Sequence, residues 1–170
     1  MRKIVKILFN TLRTLSFKKL LSLLKLIVPH PLLAILGIYA TVKSFTLAEK
    51  FFPKTSATNG IGNAYRHALW SALIMMYCCK ISSPQKALKF CKEMTDLHEE
   101  LFPNEPLEKK MDLHNNQVGM DLFMEMLPGI HRQFFEKKFI IDRLFEMLKT
   151  AKILTSLEEN HGDHLVYLEE

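Results

Sequence analysis

Asn63-Ala64-Tyr65-Arg66-His67-Ala68-Leu69-Trp70 is the stretch whose reading decides the fold. As a helix it places Asn63, His67, Trp70 and Ile74 on one stripe, with Arg66 beside it. That face mixes large apolar groups with groups that hydrogen-bond, carry charge or bind metal. Two later segments repeat the habit, His98-Glu99 and Asp112-Leu113-His114-Asn115-Asn116. The pattern predicts three helices that converge these groups on one polar site inside an otherwise apolar bundle.

The remainder of the chain agrees with a helical reading. Its 170 residues suit one domain with a real core. An apolar fraction of 48% argues against disorder. Six Gly and seven Pro are few, while nine Met and twelve Phe are many, which favours helices over a many-turned β fold. The expected fold is all-α: a single bundle of five to six helices with an N-terminal basic amphipathic helix. Residues 1–50 form the expected N-terminal helices and residues 51–170 the helical domain that carries the polar site.

The net charge of +5 is unevenly spread. Residues 1–50 carry +8, with Glu49 their only acid, and the other residues carry −3. The basic balance therefore belongs to the N-terminal arm and is no nucleic-acid footprint. Basic side chains interleaved with Leu, Ile and Phe fit an anionic membrane surface. Residues 2–27 read as that amphipathic helix, either packed on the body or anchoring the protein peripherally. Charges recurring through Lys25 argue against a signal peptide. The expected location is cytoplasmic, at the periphery of the inner membrane.

The longest uncharged run, Leu26 to Val42, is interrupted by Pro29-His30-Pro31. A spanning helix wants ~20 apolar residues, so residues 32–50 read as a buried or interfacial helix, with a membrane span as the alternative. Lys54 to Gly62 is the clearest loop, and Asn59 or Asn63 is the expected cap of the helix that follows, running to about Lys80. Ser83-Pro84 starts a helix ending before Pro103, with Ala87, Cys91, Met94, His98 and Leu101 as its stripe. Asn104 is the expected cap of the next, with Pro106 just inside. Its adjacent Asn115 and Asn116 cost roughly half a kcal/mol each against Ala, which a fold rarely accepts without a use. A further amphipathic helix is expected over 130–152, and Leu165-Val166-Tyr167 as a short strand. Cys78, Cys79 and Cys91 are odd in number and include no CxxC pair, so neither a disulfide framework nor a zinc-cysteine site is expected.

The ordered motifs N-x-x-R-H-x-x-W, H-E and M-D-L-H-N-N-x-V-G resemble an uncharacterised family of small all-helical bacterial proteins and domains, a domain of unknown function. The likeness covers roughly Phe51 to Phe123, and weakly Leu165-Val166-Tyr167. It implies an α-helical domain with a shared polar site and supplies no reaction. Related domains sit at the ends of large toxin-like proteins. Met120 stands where the resemblance leads one to expect an Arg after Asn-Asn-x-Val-Gly.

Each member of the constellation also has a plain role. A lone His on an apolar face is ordinarily a core residue, Trp70 is ordinarily core, and the Asn amides can tie helices together. Arg66 can simply pair with Glu99 or Asp112, because a buried charge needs a partner. The coincidence of so many costly groups on apolar helices favours function. His67, His98 and Asp112 are suitable ligands for Zn²⁺ or a similar divalent metal, with Glu99 as general base. In a metal-free version His67, His98, Glu99 and Asp112 carry the proton chemistry, while Asn63, Arg66, Asn115 and Asn116 hold the substrate. Both describe a small hydrolase acting at a membrane on a lipid, phosphoester or acyl substrate. The competing expectations are a membrane-associated scaffold whose polar cluster is a sealed, fully paired network, and a toxin-like effector.

Overall fold

The structure is a computed structural model and describes residues 16–129 and 136–169. Among them are six α-helices: α1 (Phe17–Ile27), α2 (Pro31–Phe51), α3 (Ile61–Cys78), α4 (Pro84–Leu101), α5 (Pro106–Met126) and α6 (Lys137–Leu148). Two short strands, β1 (Lys152–Ile153) and β2 (Val166–Tyr167), pair in parallel. The all-α expectation holds. The first part of the expected arm, residues 2–15, and the start of the expected helix at 130–135 lie outside the described residues.

Helix α3 is the axis of the bundle, packed by α2, α4, α5, α6 and β2. Fifteen of its eighteen residues are buried, among them Leu69, Leu73, Ile74 and Met75. A helix that is apolar on nearly every side has no solvent face to choose, so it takes the centre. Its closest approach is to α5. A Cβ on Gly119 would overlap the Ala68 carbonyl oxygen and Ser71 Oγ, so only glycine lets the two backbones come this near.

Helix α2 packs on α3 and buries Leu33, Ala34, Gly37, Ala40, Ser44 and Ala48, a stripe of mostly small side chains at helical spacing, of which Gly37 faces Met94 and Phe90 of α4. Its other side departs from a buried reading: Leu32, Ile35, Ile38, Tyr39 and Phe45 are exposed. Helix α2 is 21 residues long and apolar enough to cross a membrane by length and composition, with one third of its most apolar window buried against the protein. Helix α1 starts at Ser16, whose hydroxyl accepts from Lys19 N. It turns Leu23, Leu26 and Ile27 inward and exposes Phe17, Leu20, Leu21 and Leu24, with Lys18 and Lys25 among them. The outer surfaces of α1 and α2 are thus apolar and basic.

Three helix starts separate the expected caps from the observed ones. Ser83 caps α4 as expected, its hydroxyl accepting from Lys86 N. Gly60, not Asn59 or Asn63, caps α3; Asn59 donates instead to Glu108, and Asn63 sits within the first turn. Glu105, not Asn104, caps α5, where Glu108 reaches back to Glu105 N. A side chain needed elsewhere is unavailable to its own helix end, and Asn104 turns out to serve the polar site.

The tail is tied down by hydrogen bonds and one small apolar cluster. Leu154 and Val166 pack on Met111. Lys110 Nζ gathers the carbonyls of Ser156, Leu157 and Glu159, and Leu168 N donates to Asn59 O.

Candidate polar site

Helices α3, α4 and α5 each bring one titratable group to a common point. His67 comes from α3, Glu99 from α4 and Asp112 from α5, and all three are buried. One ligating atom from each lies within 4.8 Å of the others. The expected convergence of three helices is therefore realised.

Hydrogen bonds fix the tautomer of His67. Arg66 Nη2 lies 3.1 Å from His67 Nε2, and a guanidinium only donates, so Nε2 presents its lone pair. The other ring nitrogen, Nδ1, then carries the proton and donates to Asn116 Oδ1 at 3.3 Å. Asp112 Oδ1 is also 3.3 Å from Nε2. No hydrogen bond joins them because Nε2 has no proton to give, and Asp112 Oδ1 has no partner among the described residues. The second Asp112 oxygen, Oδ2, accepts from Asn104 at 3.2 Å. Arg66 Nη2 also donates to Asn63 Oδ1 at 2.7 Å, and the guanidinium lies over the Phe45 ring.

The electrostatics follow from burial. His67 is held well below the ordinary histidine range by loss of water and then by Arg66, so it is neutral at pH 7. His98 is lowered to about 4 for the same two reasons. Glu99 is raised to about 7 by burial and by its neighbour Asp112. Asp112 is raised to about 7 by burial, against the opposing pull of Arg66. Among the described residues, both Glu99 oxygens and Asn116 Nδ2 are buried without partners. A cluster built only to fix helix packing would pair such atoms, because each costs about 1–3 kcal/mol unpaired.

Asn63, Arg66, His67, Glu99, Asp112 and Asn116 share this cluster. Two expectations change. Asn115, expected to bind substrate, faces away: its Nδ2 donates to Val166 O at 2.7 Å and its Oδ1 accepts from Val166 N at 3.0 Å. Consecutive helical residues point about 100° apart, so the two asparagines divide the work, one holding β2 and the other orienting His67. The metal-capable set is also His67, Glu99 and Asp112, with Glu99 where His98 was expected. The His98 ring instead packs against Trp70 and Phe102, with centroids 5.1 Å from each. Asn104 is the site residue that sequence reasoning assigned to another task. Its eight-residue separation from Asp112 carries no helical signal, since Asn104 lies before the start of the helix that carries Asp112.

A cavity of about 410 Å³ adjoins the cluster. Its walls are mostly apolar, built from α1 (Leu23, Leu26), α2 (Ile38, Phe45) and α4 (Phe90, Met94), with Thr41, Arg66, His67 and His98 as polar members. Met120 is buried in the core instead, so the expected arginine position has no polar role here. Cys78, Cys79 and Cys91 are buried and form no disulfide among the described residues; burial pushes Cys78 up to about 12, which removes its thiolate chemistry at neutral pH.

A family model described as a domain of unknown function (DUF6973) matches residues 24–152, a span that contains every residue of the cluster. No curated protein and no solved structure matches the chain.

Proposed function

The chain belongs to this family of domains of unknown function, and from that premise we propose that it is a small hydrolase acting at an anionic membrane surface on an amphiphile with an ester or phosphoester head. One observation carries the reading: the apolar cavity meets Arg66, His67 and His98, and His67 in turn adjoins a buried carboxylate pair whose oxygens include three with no partner among the described residues. The cavity suits an apolar chain, whose burial contributes about 0.8 kcal/mol per methylene. The head then reaches the polar members of the wall. Arg66 holds the developing oxyanion, an interaction strongest in a site shielded from water. His67 Nε2, freed as Arg66 turns to the oxyanion, takes a proton from the attacking water and passes it to Asp112 Oδ1 at 3.3 Å; as the ester bond breaks, the proton returns through His67 to the leaving oxygen. Carboxyls near 7 are matched to proton uptake at neutral pH.

The surface around the cavity supports the membrane part of the proposal. Ile38 and Phe45 line the cavity and are also exposed, continuous with Ile35 and Tyr39 on α2. Lys18 and Lys25 on α1 supply positive charge beside this apolar face. The unpartnered atoms favour catalysis over a scaffold role, which calls for a closed and fully paired network.

The test is hydrolysis of chromogenic esters and phosphodiesters of increasing chain length, free and in vesicles with or without anionic lipid. Turnover should rise with chain length and with anionic lipid, and fall at least ~100-fold in His67→Ala. Ile38→Trp, placed in the cavity wall, should suppress long-chain turnover and spare short-chain turnover. No turnover above the His67→Ala background with any of these substrates overturns the proposal.

A further inference from the structure

We infer that His67, Glu99 and Asp112 form a binding site for one divalent transition-metal cation of the zinc or manganese type. The inference concerns the cluster of the proposed hydrolase site and rests on that reading for its catalytic meaning: an ion on His67 Nε2 would occupy the lone pair of the base and would activate the water in its place, whereas the binding itself needs only the donor set.

The geometry points to a cation in three ways. First, among the described residues Asp112 Oδ1 and both Glu99 oxygens have no partner, and His67 Nε2, 3.3 Å from Asp112 Oδ1, accepts only from Arg66, a neighbour that an entering cation would displace. Acceptors converging in a buried space call for a positive centre between them. With both carboxylates ionised, Arg66 supplies one positive charge against two negative ones, and the negative charge left over favours a cation.

Second, the donors are held from behind as metal ligands are. The non-ligating nitrogen of His67 donates to Asn116 Oδ1, which fixes the ring with Nε2 facing inward. Asn104 holds Asp112 Oδ2 and leaves Oδ1 directed at the cluster. One donor on each of three packed helices gives the site a fixed frame.

Third, the spacing is close to closure. The donor atoms lie within 4.8 Å of one another. A tetrahedral ion about 2.1 Å from each would hold them about 3.4 Å apart, so a small inward rotation of the carboxylates completes the shell. One nitrogen and two carboxylate oxygens suit zinc or manganese rather than a thiolate-seeking metal. Three protein ligands leave a coordination position open. His67 also lines the cavity, which places that position near an incoming substrate head.

His98 is not part of the set. Its ring packs between Trp70 and Phe102, and its centroid is 6.3 Å from that of His67.

The experiment uses the full chain stripped with EDTA and titrated with ZnCl₂ or MnCl₂, read by calorimetry, elemental analysis after desalting, and thermal unfolding. One ion per chain is expected. At ~100-fold excess over Kd, the midpoint should rise by roughly 5–10 °C. Glu99→Gln and Asp112→Asn, which keep side-chain volume, should each weaken binding by ~100-fold, and His98→Ala should leave it unchanged. If either ligand variant fails to fold, cobalt substitution in the wild type decides: visible d–d bands of a nitrogen-oxygen shell are expected, and the spectrum of hydrated cobalt overturns the proposal. An unbound wild type, or binding unaltered in both folded ligand variants, also overturns it. A chain that binds one ion yet hydrolyses nothing retains this site and loses the hydrolase reading. Hydrolysis that persists in EDTA, in a chain that binds no ion in the titration, does the reverse.

Discussion

Glu99→Gln isolates the strain of the buried carboxylate pair. The Glu99 carboxyl is 2% exposed, both oxygens lack partners, and burial with Asp112 raises it from 4.5 to about 7. At about 1.4 kcal/mol per pKa unit, a rise of roughly 2.5 units makes the ionised form cost the metal-free fold about 3 kcal/mol. The sign is that of a group whose folded pKa is raised. Its contribution is fully present below about pH 4.5, where both states hold the proton, and is lost as the pH climbs through about 7. Glutamine has nearly the same shape and no proton to lose. His67 and His98, lowered in the folded state, tilt stability the opposite way, but they are common to both proteins and cancel in the difference. Urea unfolding in EDTA from about pH 5 to about pH 8 should therefore show the variant gaining about 2 kcal/mol or more on the wild type. A difference that stays constant across this range refutes the argument that Glu99 enters the fold as a neutral acid.

Two further outcomes test the frame that holds the site. Gly119→Ala forces a methyl group into the Ala68 carbonyl and Ser71 Oγ, so α3 and α5 must part; thermal unfolding should show a loss of about 3 kcal/mol, and an unchanged midpoint would show that the helices are not this close. Asn115→Ala removes both hydrogen bonds to the Val166 backbone and leaves a buried N–H and C=O unpaired. It should cost about 2–4 kcal/mol in urea unfolding and make the chain beyond Leu154 the first site of proteolysis, whereas equal protection would contradict the role of Asn115 as the clamp on β2.

Helix identity and most helix limits follow from local chemistry. Ser83-Pro84 starts α4 because a hydroxyl cap followed by proline satisfies a helix start without help from elsewhere. The alternation of apolar and polar groups through Asn63–Trp70, His98-Glu99 and Asp112–Asn116 identified three helices with polar groups on buried faces. That much depends on side-chain periodicity, which is written along the chain. The caps at Asn59 and Asn104 misled because both asparagines spend their amides on partners 49 and 8 residues away, Glu108 and Asp112. Local propensity does not register a competing bond across a turn or between helices.

The sequence by itself determined that this chain is a helical bundle, that its basic charge lies in the first fifty residues, and that six or more costly polar groups are carried on apolar helices. Only the tertiary structure decided their partnerships. Asn115 and Asn116 are chemically identical neighbours, yet one clamps a strand and the other orients His67. His98 and Glu99 are adjacent, yet the ring turns to the cavity wall and the carboxylate to the cluster. The physical reason is angular: neighbouring helical residues point about 100° apart, so a group's role depends on which helix packs against that side. That choice rests on long-range contacts such as the close approach of Gly119 to Ala68, which no local pattern specifies.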